Sequence, residues 1–206
     1  MPASRPRRKA QQERARQTVD TLLEAAARVL LDRGYASATT NRIAARAGVS
    51  IGTLYEYFAN KEELFRALIG RELDAIVRAV ESVPRQPNDP LDETLGRVIG
   101  AAMGAMHYGP ELVRRLEQVP QASFRTQLAS ARARVVQLVR QILECHRDEL
   151  QVADLELAAF LIVSAAEGIG SNATREQFGA PLAAELAALV RVYLTADRAP
   201  RAGSPG

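Results

Sequence analysis

Between Thr39 and Lys61 the chain reads TTNRIAARAGVSIGTLYEYFANK. This stretch constrains the fold more than any other, because it encodes two short helices separated by a tight turn. Ile43, Ala44 and Ala47 recur at i, i+1 and i+4, one face of a short helix. Gly48 then supplies a residue that can take φ > 0 and end it. Ser50 is a good N-cap for a second helix, accepting from backbone N–H groups that have no partner in the first turn. Leu54 and Phe58, four apart, give that second helix its buried face. Two helices at a steep angle, joined by a short turn containing glycine, make a helix-turn-helix. In that motif the N-terminal part of the second helix enters the DNA major groove.

A helical wheel assigns roles to the remaining positions. With Leu54 and Phe58 turned inward, Gly52, Thr53 and Glu56 point roughly the other way, and Tyr55 and Tyr57 fall on opposite flanks. Ile51 sits at the leading tip. Gly52 lets the backbone approach the groove closely. Thr53 suits a base edge or a phosphate, and Ile51 or the Thr53 methyl suits a thymine methyl. The tyrosine hydroxyls suit phosphates on either wall of the groove, contacts that position the helix without reading sequence.

Asn60-Lys61-Glu62-Glu63 opens the next helix, with Asn60 as N-cap and Glu63 at N3 in a variant of the capping box. Lys61 falls at N1, where a cation opposes the helix dipole by roughly 0.3–1 kcal/mol. A bound phosphate reverses that penalty, since a helix N-terminus attracts anions. A solvated surface lysine is the other reading of Lys61 alone; the tyrosines and Thr40 beside it favour phosphate contact.

The stretch LLEAAARVLLDRGYASATTNRIAARAGVSIGTLYEYFANKEELFRALI resembles the N-terminal domain of the TetR family of bacterial transcriptional regulators, over residues 16–76. The elements in common are a helix ending in Gly-Tyr, then Thr-Thr, Ile-Ala, Ala-Gly-Val-Ser, Leu-Tyr-x-Tyr-Phe and Lys-Glu-x-Leu. The resemblance implies DNA contacts at Thr40, Asn41, Ser50, Ile51, Gly52, Thr53, Tyr55, Tyr57 and Lys61; Thr39 and Arg42 complete the expected interface. It implies an all-α fold of about nine helices. A three-helix DNA-binding domain would occupy 16–76, with the motif at 39–58. An all-helical effector-binding and dimerisation domain would occupy 77–195.

Charge distribution agrees. Residues 1–61 hold 11 Lys/Arg against 5 Asp/Glu, a net of +6, and the remaining 16 basic and 19 acidic residues leave 62–206 at −3. A basic end on a mildly acidic remainder fits a nucleic-acid-binding head on a neutral body. The run Arg5, Arg7, Arg8, Lys9, Arg14, Arg16 has two prolines nearby and no apolar cluster. Residues 1–15 are therefore expected to be a disordered basic arm, either a solubilising tail or a reach into the adjacent minor groove or phosphates. No apolar run near 18 residues is evident, so no membrane-spanning helix is expected, and the basic N-terminus lacks the apolar segment of a signal peptide. A lone Cys145 excludes an intrachain disulfide and suits a reducing cytoplasm.

The rest of the chain reads as helix. Val19, Leu22, Leu23, Ala26 and Leu30 make one stripe, stopped by Gly34. A longer helix is expected from Lys61 to about Ser82, then a break at Pro84–Pro90. Further helices are expected over about 91–107, 111–119, 120–148, 155–176 and 181–194, with Asp154 capping one and Pro181 opening the last. Residues 196–206 are expected to form a disordered tail.

Two features beyond residue 80 bear on function. The helix over 155–173 carries Ala158, Ala159, Ser164, Ala165, Ala166, Gly168 and Gly170; the last carries Leu182, Leu186, Leu189, Val190 and Tyr193. Small residues let helices approach closely, and an ordinary intrachain core is one use of them. The family resemblance implies the other: a homodimer through about 155–175 and 181–194, which paired operator half-sites require. The second feature is the set Met103, Met106, His107, Tyr108, Phe124, Leu128, Phe160 and Glu167, a candidate lining for a small-molecule effector. Methionine adapts to irregular ligands, and an unpaired carboxylate inside AAFLIVSAAEGIG would be costly. Each of these residues also has a plain core or surface reading.

An enzyme is disfavoured. Cys145 and His146 are adjacent, and i, i+1 residues do not face each other on a helix. Two histidines, His107 and His146, are too few and too separated for a metal site, and there is no phosphate-cradling glycine loop or Gly-x-Ser-x-Gly. No cofactor is implied. The expected function is a cytoplasmic, ligand-responsive regulator, most simply a repressor, that binds palindromic double-stranded operator DNA as a dimer. The alternative is a DNA-binding regulator or architectural protein without an effector.

Overall fold

The computed structural model describes residues 5–84, 89–116, 118–120, 122 and 124–197. Among them every regular element is helical. The helices are α1 (Arg5–Ser37), α2 (Thr40–Ala47), α3 (Ile51–Tyr57), α4 (Lys61–Glu81), α5 (Leu91–Gly104), α6 (Gly109–Leu116), α7 (Arg125–Cys145), α8 (Leu155–Asn172) and α9 (Ala180–Thr195). A single 3-10 turn, Arg147–Glu149, lies between α7 and α8.

The chain folds into two compact units, Met1–Arg71 with Glu111–Arg125, and Glu72–Pro110 with Thr126–Gly206. The sequence placed the boundary near residue 76 and assigned 77–195 to the second domain. Instead the division falls inside α4, and 111–125 joins the head. That segment buries Leu112, Val119 and Phe124, and Gln118 Oε1 accepts from the Tyr35 N–H at 3.2 Å. Pairing across 83 residues leaves no periodic signal in the chain.

α1 differs from expectation at its start. The described helix runs back to Arg5, through residues expected to be a disordered arm; residues 1–4 lie outside the described residues. The physical reason is local. Beyond Pro6 in the first turn come Arg, Lys, Ala, Gln and Glu, all good helix formers. The packed segment below them supplies the costly nucleus. Its inner face is the expected one, with Leu22, Ala26 and Leu30 fully buried. Gly34 breaks the helix with φ 70 and ψ 167, a conformation that side chains with a Cβ rarely adopt.

The second unit is built from α5, α7, α8 and α9 together with the end of α4. Leu91, Leu95, Ile99, Val139, Leu143, Ala158, Ala159, Ile162, Leu186, Val190 and Leu194 form one core, and Val77, Val80, Val98, Leu138 and Ile142 a second. Ala158 and Ala159 are thus part of the intrachain core, one use the sequence left open for them. His146 is buried, its Nδ1 3.0 Å from the Ile142 carbonyl and its Nε2 3.0 Å from the Asp89 carbonyl, while Cys145 is exposed.

Several boundaries moved. α5 stops at Gly104 rather than 107, α7 starts at Arg125 rather than 120, and α8 stops at Asn172 rather than 176. Beyond residue 195, Ala196 and Asp197 are non-helical and 198–206 lie outside the described residues. α8 also corrects the expectation of no apolar run near 18 residues. By length and composition alone, with mean hydropathy 1.2 over Leu155–Asn172, it meets the requirement for a membrane span. It nevertheless carries Glu156 and Glu167 and packs Ile162 and Val163 into the core.

Candidate nucleic-acid interface

The turn between α2 and α3 forms as its residues dictate. Thr39 caps α2, its side chain accepting from the Arg42 N–H at 3.4 Å. At the other end Gly48 is left-handed (φ 71, ψ 25). Its N–H donates to Ala45 O at 3.2 Å and the Val49 N–H reaches Ala44 O at 3.1 Å. These are the paired bonds of a Schellman motif, which satisfy carbonyls the ended helix would otherwise orphan. Ser50 caps α3, accepting from the Thr53 N–H at 2.9 Å. Ile43 and Leu54 are fully buried and Phe58 nearly so, which fixes the orientation of both helices.

That orientation turns one face of α3 outward. Ile51 is 39% exposed, Tyr55 is 51% exposed, and Gly52 and Glu56 are exposed. Thr53 is partly buried, its hydroxyl 2.9 Å from Ser50 Oγ. Tyr55 OH lies 3.2 Å from Thr40 Oγ1, so the first residue of α2 and the recognition helix present one joined pair of hydroxyls. Tyr57 lies on the other flank and is partly buried. Nothing inside the chain requires glycine at 52: its φ is not positive, and a Cβ there would meet only Ser50 Oγ, at 3.6 Å.

The cations divide into engaged and available. Arg42 Nη1 donates to Ser37 O at 2.7 Å, and Arg46 pairs with Asp32 at 2.7 Å. Lys61 Nζ donates to Tyr35 O and stands 3.8 Å above the Tyr35 ring. That carbonyl, just past the break at Gly34, also accepts from the Ala38 N–H at 3.2 Å. Burial lowers the Lys61 pKa; burial, then Glu62, raises that of Tyr35. Tyr35 in turn stacks edge-on against Phe65, centroids 5.2 Å apart. The α4 cap forms as a displaced box: Asn60 Oδ1 accepts from the Glu63 N–H at 2.8 Å, and Glu63 Oε2 accepts from the Ala59 N–H at 2.7 Å. No local pattern marks the Tyr35–Lys61 contact, because 26 residues separate the partners.

Of the expected DNA residues, Thr39, Thr40, Asn41, Arg42, Ser50, Ile51, Gly52, Thr53, Tyr55, Tyr57 and Lys61 all belong to the first unit.

The effector set is not gathered in this way. Met103 packs against the α5–α9 core, and Met106 and Tyr108 are partly buried. His107 is exposed, its Nδ1 3.9 Å from the Glu72 carboxylate. Phe124 belongs to the first unit, and Leu128 and Phe160 are exposed. Glu167 is half-exposed and ion-paired to Arg132 at 2.7 Å; Arg132 also donates to Ser164 Oγ at 2.7 Å and covers the Phe160 ring at 5.2 Å. Burial raises the Glu167 pKa, and Arg132 offsets part of that rise. The physical reason lies in α8. Phe160 and Glu167 share one side of α8 with Glu156, Ser164 and Ser171, opposite Ala158, Ile162 and Ala166, which point into the core.

Outward faces of α8 and α9 carry large apolar residues: Leu157, Phe160 and Leu161 on α8, Leu189 and Val192 on α9. An open groove of about 450 Å3 is lined by Ile169, Leu182, Glu185, Leu186, Ala188, Leu189 and Val192.

With this geometry in place, comparison decides the family. Residues 22–68 match the family described as bacterial regulatory proteins, tetR family, and residues 90–194 match the tetracyclin repressor-like C-terminal domain. The chain belongs to the TetR family. The activator FasR of Mycolicibacterium smegmatis is 44% identical over 68 residues, 33% of this chain and 31% of FasR. The repressor KstR2 of the same organism is 28% identical over 111 residues, 51% of this chain and 54% of KstR2. The chain thus spans a third to about a half of the length of these two relatives. A TetR-like transcriptional regulator from Rhodococcus sp. RHA1 has a similar structure, with a TM-score of 0.69 and 28% identity, covering 87% of this chain and 97% of that one. The fatty acid degradation regulator FadR of Bacillus halodurans shares the fold, with a TM-score of 0.69 at 21% identity over 84% of this chain and 93% of its own.

Proposed function

We propose that this TetR-family chain is a ligand-responsive repressor that binds a palindromic operator as a homodimer inside the cell. The observation that carries the reading is the outward face of α3. Ile51, Gly52 and Thr53 lead, and the Thr40–Tyr55 hydroxyl pair flanks them. Residues 51–53 read base edges in the major groove. Thr39, Thr40, Asn41, Arg42, Ser50, Tyr55, Tyr57 and Lys61 hold phosphates or brace those that do. Lys61 keeps two of its three ammonium donors for this after bonding Tyr35 O.

Dimerisation supplies the second recognition helix. The apolar residues on the outer faces of α8 and α9 support an isologous contact there, with the apolar groove beside Leu189 as part of it. An effector bound among the helices of the second unit, in contact with some of Met103, Met106, His107 and Tyr108, acts on DNA through α4, one continuous helix from Lys61 to Glu81. Such a ligand works only by its differential affinity for the two states, and operator DNA must weaken its binding by the same factor. Repression agrees with the name of KstR2, whereas FasR is named an activator.

The test is selection of duplexes from a randomised library, followed by footprinting and sedimentation of the complex. The expected result is a two-fold symmetric site bound by a dimer, its half-sites about 34–36 Å apart centre to centre. Sequence-indifferent binding, or an asymmetric footprint from one copy, overturns it. A Leu189→Glu variant is expected to sediment as a monomer and to lose high-affinity binding while keeping its helical content.

A further inference from the structure

We infer that Arg16, on α1, is a phosphate-binding residue for the wall of the major groove opposite Tyr55. The inference rests on the operator-binding reading above and extends it to a residue outside the helix-turn-helix. α3 sends Tyr55 and Tyr57 to opposite flanks. The Tyr55 flank already has a built partner in Thr40, with hydroxyls 3.2 Å apart. The Tyr57 flank opens on a groove of about 450 Å3 lined by Ala15, Arg16, Val19, Asp20 and Tyr57.

The identity of the occupant follows from charge and availability. Arg42 and Arg46 on α2 are held by Ser37 O and by Asp32, and Lys61 by Tyr35 O. Arg16 is exposed and has no ion pair or side-chain hydrogen bond among the described residues. An exposed guanidinium beside a phenol, on the flank of a helix that enters DNA, presents a fork of N–H donors that matches phosphate oxygens. The basic residues Arg5, Arg7, Arg8 and Lys9 earlier in the sequence add long-range attraction for a polyanion. Asp20 is the one carboxylate lining the groove, and it opposes an anion there. That opposition makes the prediction two-signed: removing the arginine weakens binding, and removing the aspartate charge strengthens it.

The experiment titrates the full-length chain against its selected operator and against a scrambled duplex, at about 50 and 200 mM salt. Arg16→Ala is expected to lose about tenfold in affinity at the lower salt and about threefold at the higher, for both duplexes. The narrowing corresponds to one counterion, a change of about 0.9 in the slope of log K against log salt. Asp20→Asn is expected to gain about threefold at the lower salt, and Arg16→Lys to keep most of the slope. Arg14→Ala, about 200° round the helix from Arg16, is the control and is expected to change affinity less than twofold. Unchanged affinity and slope in Arg16→Ala, or no gain in Asp20→Asn, overturns the assignment. So does an Arg16→Ala loss confined to the specific operator, which would make Arg16 a reader of bases. Failure of the wild-type chain to prefer any duplex instead overturns the operator-binding reading itself.

Discussion

Two glycines in the same motif are expected to respond to alanine in opposite ways. Gly48 is left-handed at φ 71, and a Cβ built on it meets nothing within 4 Å. Its requirement is purely conformational. Alanine there pays about 1–2 kcal/mol for the left-handed backbone and recovers about 0.4–1 kcal/mol through a less disordered unfolded chain. The net destabilisation is roughly 1 kcal/mol, or about 2–4 °C in Tm for a chain of this size. Gly52 is the second residue of α3, has no positive φ, and would place its Cβ in ordinary contact with Ser50 Oγ at 3.6 Å. Alanine at 52 is therefore expected to stabilise the chain by about 0.5 kcal/mol through helix propensity. In the proposed operator complex the same methyl points toward DNA. Inserting it into a close-packed contact costs about 1–3 kcal/mol, which is roughly 5- to 150-fold in Kd. Thermal unfolding followed by circular dichroism, and operator titration by fluorescence anisotropy, read the two quantities separately. The reasoning is refuted if Gly52→Ala lowers Tm, or if it raises Tm and leaves operator affinity intact. Gly48→Asn, which tolerates the left-handed region, is expected to lie between wild type and Gly48→Ala.

Three further outcomes follow from the geometry. Lys61→Ala is expected to lower stability by about 1–2 kcal/mol, from the lost bond to Tyr35 O and the cation–π contact, and to reduce the salt slope of DNA binding by about 0.9; an unchanged Tm would contradict the first part. Thr53→Ala and Ile51→Ala are expected to shift base preference by roughly 1–3 kcal/mol at individual positions, whereas Tyr55→Phe weakens all sequences alike; a binding titration against an operator library separates the two patterns. For Glu167, burial raises the folded-state pKa despite Arg132, so the folded state favours the protonated carboxyl. Its favourable contribution is present at pH below the unfolded value and is lost as pH rises through the folded value. Wild type minus Glu167→Gln stability is therefore expected to fall as pH rises through the upper carboxylate range; a difference that rises over that interval would reverse the assignment.

The head of the molecule was legible in the chain because its determinants are local. Thr39, Gly48, Ser50 and Asn60 act within four residues of their own positions through caps and a left-handed turn. Ile43, Leu54 and Phe58 then fix which face of α3 looks outward. The eleven expected DNA residues belong to one unit for the same reason. What the tertiary structure alone decided involves partners far apart in sequence. Gln118 returns to the Tyr35 N–H, Lys61 bonds the Tyr35 carbonyl, and Arg16 on α1 lines a groove with Tyr57. Of the proposed effector set, Phe160 and Glu167 lie on the side of α8 that carries Glu156, opposite Ala158, Ile162 and Ala166. The helical wheel separates those two sides, but which elements cover the inner one depends on residues far away in the chain, and only the tertiary structure sets Ile162 against the core of α5, α7 and α9.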